Sequence, residues 1–197
     1  MPKIVDHEAY RVELVEGSAD LFSKHGFGSV TMRGVAKALG VSTGTLYHYF
    51  PSKEALFEAS VEYVVRRNAE VAIELLQPQL ARGLRMGPRE VLAFLIAQEE
   101  QQIAQFVVLM DYWRLHPEGR DALRPAIKQA HYAYADIVAG LLGSEDRGLG
   151  ELVLSVLFNI IELRWLHGPD FPVERQIVLL EQLVAMRARE GAEPPGS

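Results

Sequence analysis

The sequence predicts an all-α fold in two parts, a three-helix unit of helix-turn-helix type at the N-terminus and a larger helical bundle behind it. Three observations predict it. Strand-like alternation is absent, and β-branched residues mix with Ala, Leu, Glu and Arg instead of clustering. Two short helical segments, opened by Thr31 and by Ser42, meet at Gly40-Val41. The last two helical segments carry more apolar surface than one core uses, so the bundle is expected to dimerise.

The first helix is predicted from about Asp6 to His25, with Gly26 placed to end it in a left-handed cap. Thr31 opens a short helix that Gly40 closes, and Ser42 opens a third that reaches about Phe50. Pro51-Ser52 breaks the chain, and Ser52 caps a longer helix from Lys53 to about Leu76. Gln77 to Gly87 reads as a connection because of its Gly and Pro content. One long helix is then expected from Pro88 to about Leu115, ended by His116-Pro117-Glu118-Gly119. After a short helical turn, a helix from Arg124 to Leu142 and a polar loop from Gly143 to Gly148 follow. The last two helices, Leu149 to His167 and Pro172 to Arg189, flank Gly168-Pro169-Asp170. The domains are accordingly 1–52, 53–190, and a tail, 191–197, that its two prolines mark as disordered.

Composition narrows the function classes. Apolar residues make up 49% of the 197 and charged residues 23%, enough for a core without a metal or disulfide staple. Cysteine is absent, which removes disulfides, thiol nucleophiles and thiolate zinc sites together. No apolar run has the length of a signal peptide or a membrane span, so the expected location is the cytoplasm. No Gly-x-Ser-x-Gly, His-Glu-x-x-His or phosphate-binding glycine loop occurs, and no histidine follows a Glu at Glu-x-x-His spacing. The reading is therefore not an enzyme, with no cofactor and no metal.

The net charge of −6 hides an asymmetry. From Leu21 to Lys53 there is no Asp or Glu, while Lys24, Arg33, Lys37 and Lys53 are basic. Such a window suits a localised surface for phosphates. It coincides with the helix-turn-helix, whose second helix lies in the major groove. Val35, Ala36 and Leu39 give the first of the two helices an inward face, Val41 plugs the turn, and Leu46 with Phe50 anchors the second. Thr43, Gly44, Tyr47 and His48 remain outward. Short polar side chains at a helix N-terminus approach base edges, a glycine lets the backbone come close, and Tyr and His donate to phosphate oxygens.

The run Thr31-Met32-Arg33, Val35-Ala36, Leu39-Gly40-Val41-Ser42, Gly44-Thr45-Leu46-Tyr47-His48-Tyr49-Phe50 and Ser52-Lys53-Glu54-Ala55-Leu56-Phe57 resembles the tetracycline-repressor (TetR) family, as do Leu21-Phe22 and Gly26-Phe27. The resemblance implies a homodimeric regulator of transcription, most often a repressor, that binds a pseudo-palindromic duplex DNA operator and responds to a small-molecule effector. It implies base contacts from Thr43 and Gly44 and a base or phosphate contact from Arg33. It assigns mainly phosphate contacts to Thr31, Ser42, Tyr47, His48 and Lys53. Tyr49 could serve the core or a phosphate. Gly34 stands where the family carries an acid, which removes the capping-box partner of Thr31.

The resemblance leaves the body open, and periodicity supplies the rest. Val91, Leu95, Phe106, Leu109 and Trp113 fall on one stripe of the expected long helix, with Gln98 and Gln102 inside it. Two amides on an apolar stripe either orient a ligand between helices or pair with each other or with water. Ile127, His131, Tyr134 and Val138 share another stripe, where His131 is a core histidine or a ligand contact. The helix from Leu149 is apolar on two faces, one through Leu152, Val153 and Ile160, the other through Leu154, Phe158 and Trp165. The ligand set expected is Gln98, Gln102, Phe106, Trp113, His131, Tyr134 and Phe158, around an apolar or aromatic effector. The alternative is a helical small-molecule binder whose DNA binding is vestigial or ligand-independent.

Overall fold

A computed structural model describes residues 6–190. The expected tail, 191–197, lies outside the described residues. Nine helices make up the described chain: α1 (His7–Ser29), α2 (Met32–Leu39), α3 (Thr43–Tyr49), α4 (Lys53–Ala81), α5 (Pro88–Ile96), α6 (Glu99–Leu115), α7 (Gly119–Leu141), α8 (Arg147–His167) and α9 (Glu174–Glu190). The described residues contain no strand.

Packing divides the described residues into two compact units, residues 6–68 with 104–128, and residues 69–103 with 129–190. The break at Pro51-Ser52 ends α3 locally, yet the first part of α4 packs with the N-terminal helices. Helices α4, α6 and α7 each contribute residues to both units.

Where the helices differ from the expected ones, the reasons are local. Gly26 does leave the helical region (φ 73°, ψ 160°), but the chain resumes a helical turn and α1 ends only at Ser29. Helix α4 runs through Pro78 to Ala81 instead of stopping near Leu76. A proline has a helical φ and forfeits one hydrogen bond, a tolerable loss so near a helix end that Gly83 (φ 74°) then turns. The single helix expected over 88–115 is two. At Ala97-Gln98 the ladder tightens, with the Gln98 N–H bonded to the Leu95 carbonyl at 3.0 Å. Glu99 and Glu100 then open α6, where acids complement the helix dipole. Helix α7 starts at Gly119, absorbing the short turn and carrying Pro125 inside it.

The first unit closes over Leu14, Phe22, Phe27, Val35, Leu46, Phe50, Leu56, Phe57 and Tyr112. Phe27 is the hub of an aromatic cluster: Phe57, Tyr112 and His116 present rings to it at centroid separations of 5.1, 4.9 and 5.1 Å. The Tyr112 hydroxyl donates to Glu58 at 2.6 Å. Burial first, and then the neighbouring Glu58 carboxylate, hold this phenol well above the usual tyrosine range.

The second unit has its own core, with Val91, Leu92, Leu95, Ala135, Val138, Val153, Leu157, Ile161, Ile177 and Leu180. Arg89 straps α5 to α9, donating to Glu174 at 2.8 and 2.9 Å and to Glu181 at 3.2 Å. Arg164 joins α8 to the start of α6 through Glu99 at 3.0 Å and caps the Pro169 carbonyl at 2.7 Å.

Candidate nucleic-acid interface

Helix α3 spans seven residues, too short to hold itself by its own hydrogen bonds. It is fixed at both ends. Ser42 caps its start, Oγ accepting from the Thr45 N–H at 2.9 Å. Fully buried Leu46 pins its middle, and fully buried Phe50 closes its end. Helix α2 is opened in the same way by Thr31, whose hydroxyl accepts from the Gly34 N–H at 3.1 Å. Gly40 (φ 69°) ends α2 in a left-handed cap that L side chains resist, so the turn between α2 and α3 depends on this glycine. Val35 and Ala36 are buried, as the inward face required, while Leu39 and Val41 are half-buried.

This packing brings Thr43, Gly44, Tyr47 and His48 onto one face of α3, since residues three and four apart are helical neighbours. Gly44, Tyr47 and His48 are exposed and Thr43 half-exposed; Tyr47 leaves 51% of its surface in solvent. Arg33 is exposed on α2. The exposed hydroxyl of Thr31 accepts a cap bond and keeps an O–H to donate, while that of Ser42 also pairs with the Thr45 hydroxyl at 2.8 Å. A Cβ at Gly44 would meet nothing closer than Ser42 Oγ at 3.6 Å, so the fold itself does not demand a glycine there.

Lys53 differs from the other basic residues. Its Nζ donates to the Phe27 carbonyl at 3.0 Å and stands 4.0 Å from the centroid of the Phe27 ring. The sequence suggests a point charge for phosphate; the structure gives the same ammonium a second duty, tying α4 to the end of α1. An ammonium carries three donors, so two remain. His7 and Tyr49 are absent from the expected contacts, yet their side chains meet at 2.8 Å beside this face. They lie 42 positions apart, a separation at which no sequence pattern couples them.

The seven residues expected around an effector lie on α6, α7 and α8, with Gln98 in the turn before α6. They fall in both units: Phe106 and Trp113 in the first, Gln98, Gln102, His131, Tyr134 and Phe158 in the second. Gln98, Phe106, His131 and Phe158 are exposed, so His131 is not the core histidine its stripe suggested. Gln98 instead donates to the Phe94 carbonyl of its own turn. Gln102, Trp113 and Tyr134 are the half-buried ones. Burial pushes the Tyr134 phenol up to about 12. Gln102 Oε1 and Trp113 Nε1 are buried and find no hydrogen-bond partner among the described residues.

On α8 and α9 an apolar surface is left uncovered. Leu152, Trp165 and Leu166 of α8 and Leu179, Leu183 and Met186 of α9 each expose about half of their area (49–59%). Ser155, Asn159 and Glu162 of α8 are exposed as well. Among the described residues no group of three His, Cys, Asp or Glu could hold a metal ion, and no helix is long and apolar enough to cross a membrane.

Comparison with known proteins finds likenesses that centre on this head. Residues 14–60 match the model of bacterial regulatory proteins, tetR family. The transcriptional repressor AcnR of Corynebacterium glutamicum is 36% identical over 78 residues, 40% of this chain and 42% of AcnR. The chain thus aligns with less than half the length of the first curated relatives it matches. The regulator BetI of Paraburkholderia xenovorans is similar over more of its length, 25% identical across 85% of this chain and 86% of BetI. A crystal structure from Mesorhizobium loti, assigned to the TetR-family transcriptional regulators, superposes with a TM-score of 0.68 at 14% identity, covering 93% of this chain and 96% of its own. That likeness is one of fold.

Proposed function

We propose that this chain, whose residues 14–60 match the model of the tetR family of bacterial regulatory proteins, is a dimeric, effector-responsive repressor that binds a pseudo-palindromic operator. One observation carries the reading. Thr43, Gly44, Tyr47 and His48 form an outward face on a capped, core-anchored helix inside a stretch without a single acid. That is a surface a polyanion can approach and a major groove can admit. Thr43 and Gly44 face base edges and Arg33 a base or phosphate. Thr31, Ser42, Tyr47, His48 and a remaining donor of Lys53 hold phosphates.

The second copy is expected on the uncovered face of α8 and α9. Side chains such as Leu183, Met186 and Trp165 are costly to leave in water, and two copies of the face bury one another by a two-fold axis. Sedimentation at micromolar concentration should report a particle of twice the 22.0 kDa chain mass; a monomer at that concentration sinks the assignment.

The effector is read as an apolar or aromatic molecule bound within residues 53–190. Within the second unit the buried Gln102 carbonyl oxygen supports it, because an unsatisfied buried polar atom costs about 1–3 kcal/mol that a ligand hydrogen bond can recover. Helix α4 supplies Leu56 and Phe57 to one core and Leu76 and Leu80 to the other. A ligand that prefers one position of α4 therefore alters the spacing of two heads, which must match groove faces about 34 Å apart.

The experiment is selection of bound duplexes from a random library by the purified protein at moderate salt. An enriched inverted repeat is the expected result, and Tyr47→Ala should weaken its binding about tenfold without changing the sedimentation, as removal of a charge-assisted phosphate hydrogen bond would. Absence of any enriched sequence from folded, dimeric protein would contradict the operator reading.

A further inference from the structure

The first turn of α1 is not a free arm. Asp6 caps it, Oδ1 accepting from the Glu8 and Ala9 N–H groups at 3.0 and 3.2 Å. That fixes the backbone that carries His7. The His7 ring reaches across to the last residue of α3, its Nδ1 lying 2.8 Å from the Tyr49 hydroxyl. The two rings are tilted at 40° with centroids 6.1 Å apart. Tyr10, one turn along α1, meets the Tyr49 ring edge-on at 5.6 Å. Tyr49 in turn carries its neighbour His48, whose ring stands edge-on to it at 5.1 Å and 86°. A line of contacts thus runs from Asp6 through His7 and Tyr49 to His48, and His48 is exposed on the face proposed to meet DNA.

The core does not need this arrangement. His7 is exposed and Tyr49 half-buried, and α3 is already anchored by Leu46 and Phe50. What the His7–Tyr49 bond adds is direction at the C-terminal end of α3. Without it, the Tyr49 ring keeps its packing against the core and Tyr10 but its hydroxyl loses a partner, and the exposed His48 imidazole beside it is less firmly directed, so binding to a phosphate bears more of the ordering entropy.

We propose that His7 is a positioning residue for operator binding: it holds Tyr49, and Tyr49 holds His48 toward a phosphate. This rests on the operator reading. The partner that matters is Nδ1, the ring nitrogen nearer the backbone. An asparagine places its side-chain amide near that nitrogen, whereas an alanine leaves the Tyr49 hydroxyl alone.

The test uses the full chain and the duplex it enriches from a random library. His7→Ala is expected to lower affinity about three- to tenfold, the span of one net hydrogen bond. In a His48→Ala background, His7→Ala should lower affinity no further, because the group that His7 holds in place is gone. Tyr49→Phe, which keeps the ring and removes the hydroxyl, should match His7→Ala, and the double variant should be no weaker than either single one. His7→Asn should recover affinity to within about twofold of the parent, as retention of the hydrogen bond implies. A purely structural role would lower the melting temperature and cost the same affinity with or without His48. Additive effects in the double variant, an undiminished His7→Ala effect in the His48→Ala background or no rescue by asparagine overturns the positioning role while the operator reading stands. A parent protein that binds no duplex overturns both.

Discussion

Gly44→Leu is expected to lower operator affinity about 100-fold or more, because a side chain between α3 and the groove floor removes at least two base contacts worth about 1–3 kcal/mol each. The same variant should fold as well as the parent. A Cβ at this position meets nothing within the chain closer than Ser42 Oγ at 3.6 Å, and the backbone of Gly44 is ordinary helix. Glycine is the poorest helix former after proline, so Gly44→Ala should raise the stability of the head by up to about 1 kcal/mol. Stability and affinity then move in opposite directions at one residue, which is the signature of a glycine kept for a partner. Gly40 supplies the internal contrast. Its φ of 69° makes any side chain there a strain on the α2–α3 turn, so Gly40→Ala should lower stability and affinity together. Melting temperature and operator titration, measured on the same preparations, separate the two cases. A Gly44→Leu protein that binds within about threefold of the parent would remove α3 from the groove, since even one base contact is worth more than that.

What the sequence made legible follows from how local each feature is. Thr31, Gly40, Ser42, Leu46 and Phe50 act within a turn or two of themselves, as caps, a left-handed stop and helical spacing, and the head was readable from them. The break at Ala97-Gln98 was not, because no Gly or Pro marks it. It comes from one tightened hydrogen bond, from the Gln98 N–H to the Leu95 carbonyl, and from the acids that begin α6. Without that break, Gln98, Phe106 and Trp113 read as one stripe of a single helix, whereas the structure puts Phe106 and Trp113 on α6 in the first unit and Gln98 in the second. Lys53 shows another limit: its charge was evident, its bond to the Phe27 carbonyl was not, since that partner is a backbone atom 26 positions away. The apolar excess on the last two helices was visible as composition. Which residues of it stay uncovered, such as Leu166, Leu179 and Met186, depends on the rotation of α8 and α9 about their axes, and packing sets that.

Gly150→Ala is the substitution expected to damage the second unit most. Gly150 is buried on α8, where α8 crosses the fully buried Ala135 of α7, and a Cβ there would be driven into the Ala135 carbonyl group. The obstacle is backbone, so no rotamer change relieves it and the two helices must part. Overpacking of this kind typically costs about 1–3 kcal/mol and more where backbone must move, so a destabilisation of about 3 kcal/mol is expected. Against a domain stability of about 5–15 kcal/mol, that is a shift easily seen in urea. Gly140→Ala is the matched control, a second glycine of the same unit near the end of α7. Its added carbon would stand 3.5 Å from the two methyls of Leu80, ordinary contact, so the change should be neutral or stabilising by up to about 1 kcal/mol. Urea unfolding at one fixed protein concentration compares them, because dimerisation makes stability depend on concentration. Helix α8 also carries Leu152, Trp165 and Leu166 on its uncovered side. Moving it off α7 should therefore weaken self-association by Gly150→Ala protein, an effect Gly140→Ala has no route to produce. Equal unfolding midpoints for the two variants would show that α7 and α8 have room to spare at Ala135, contrary to a close helix crossing that only a glycine permits.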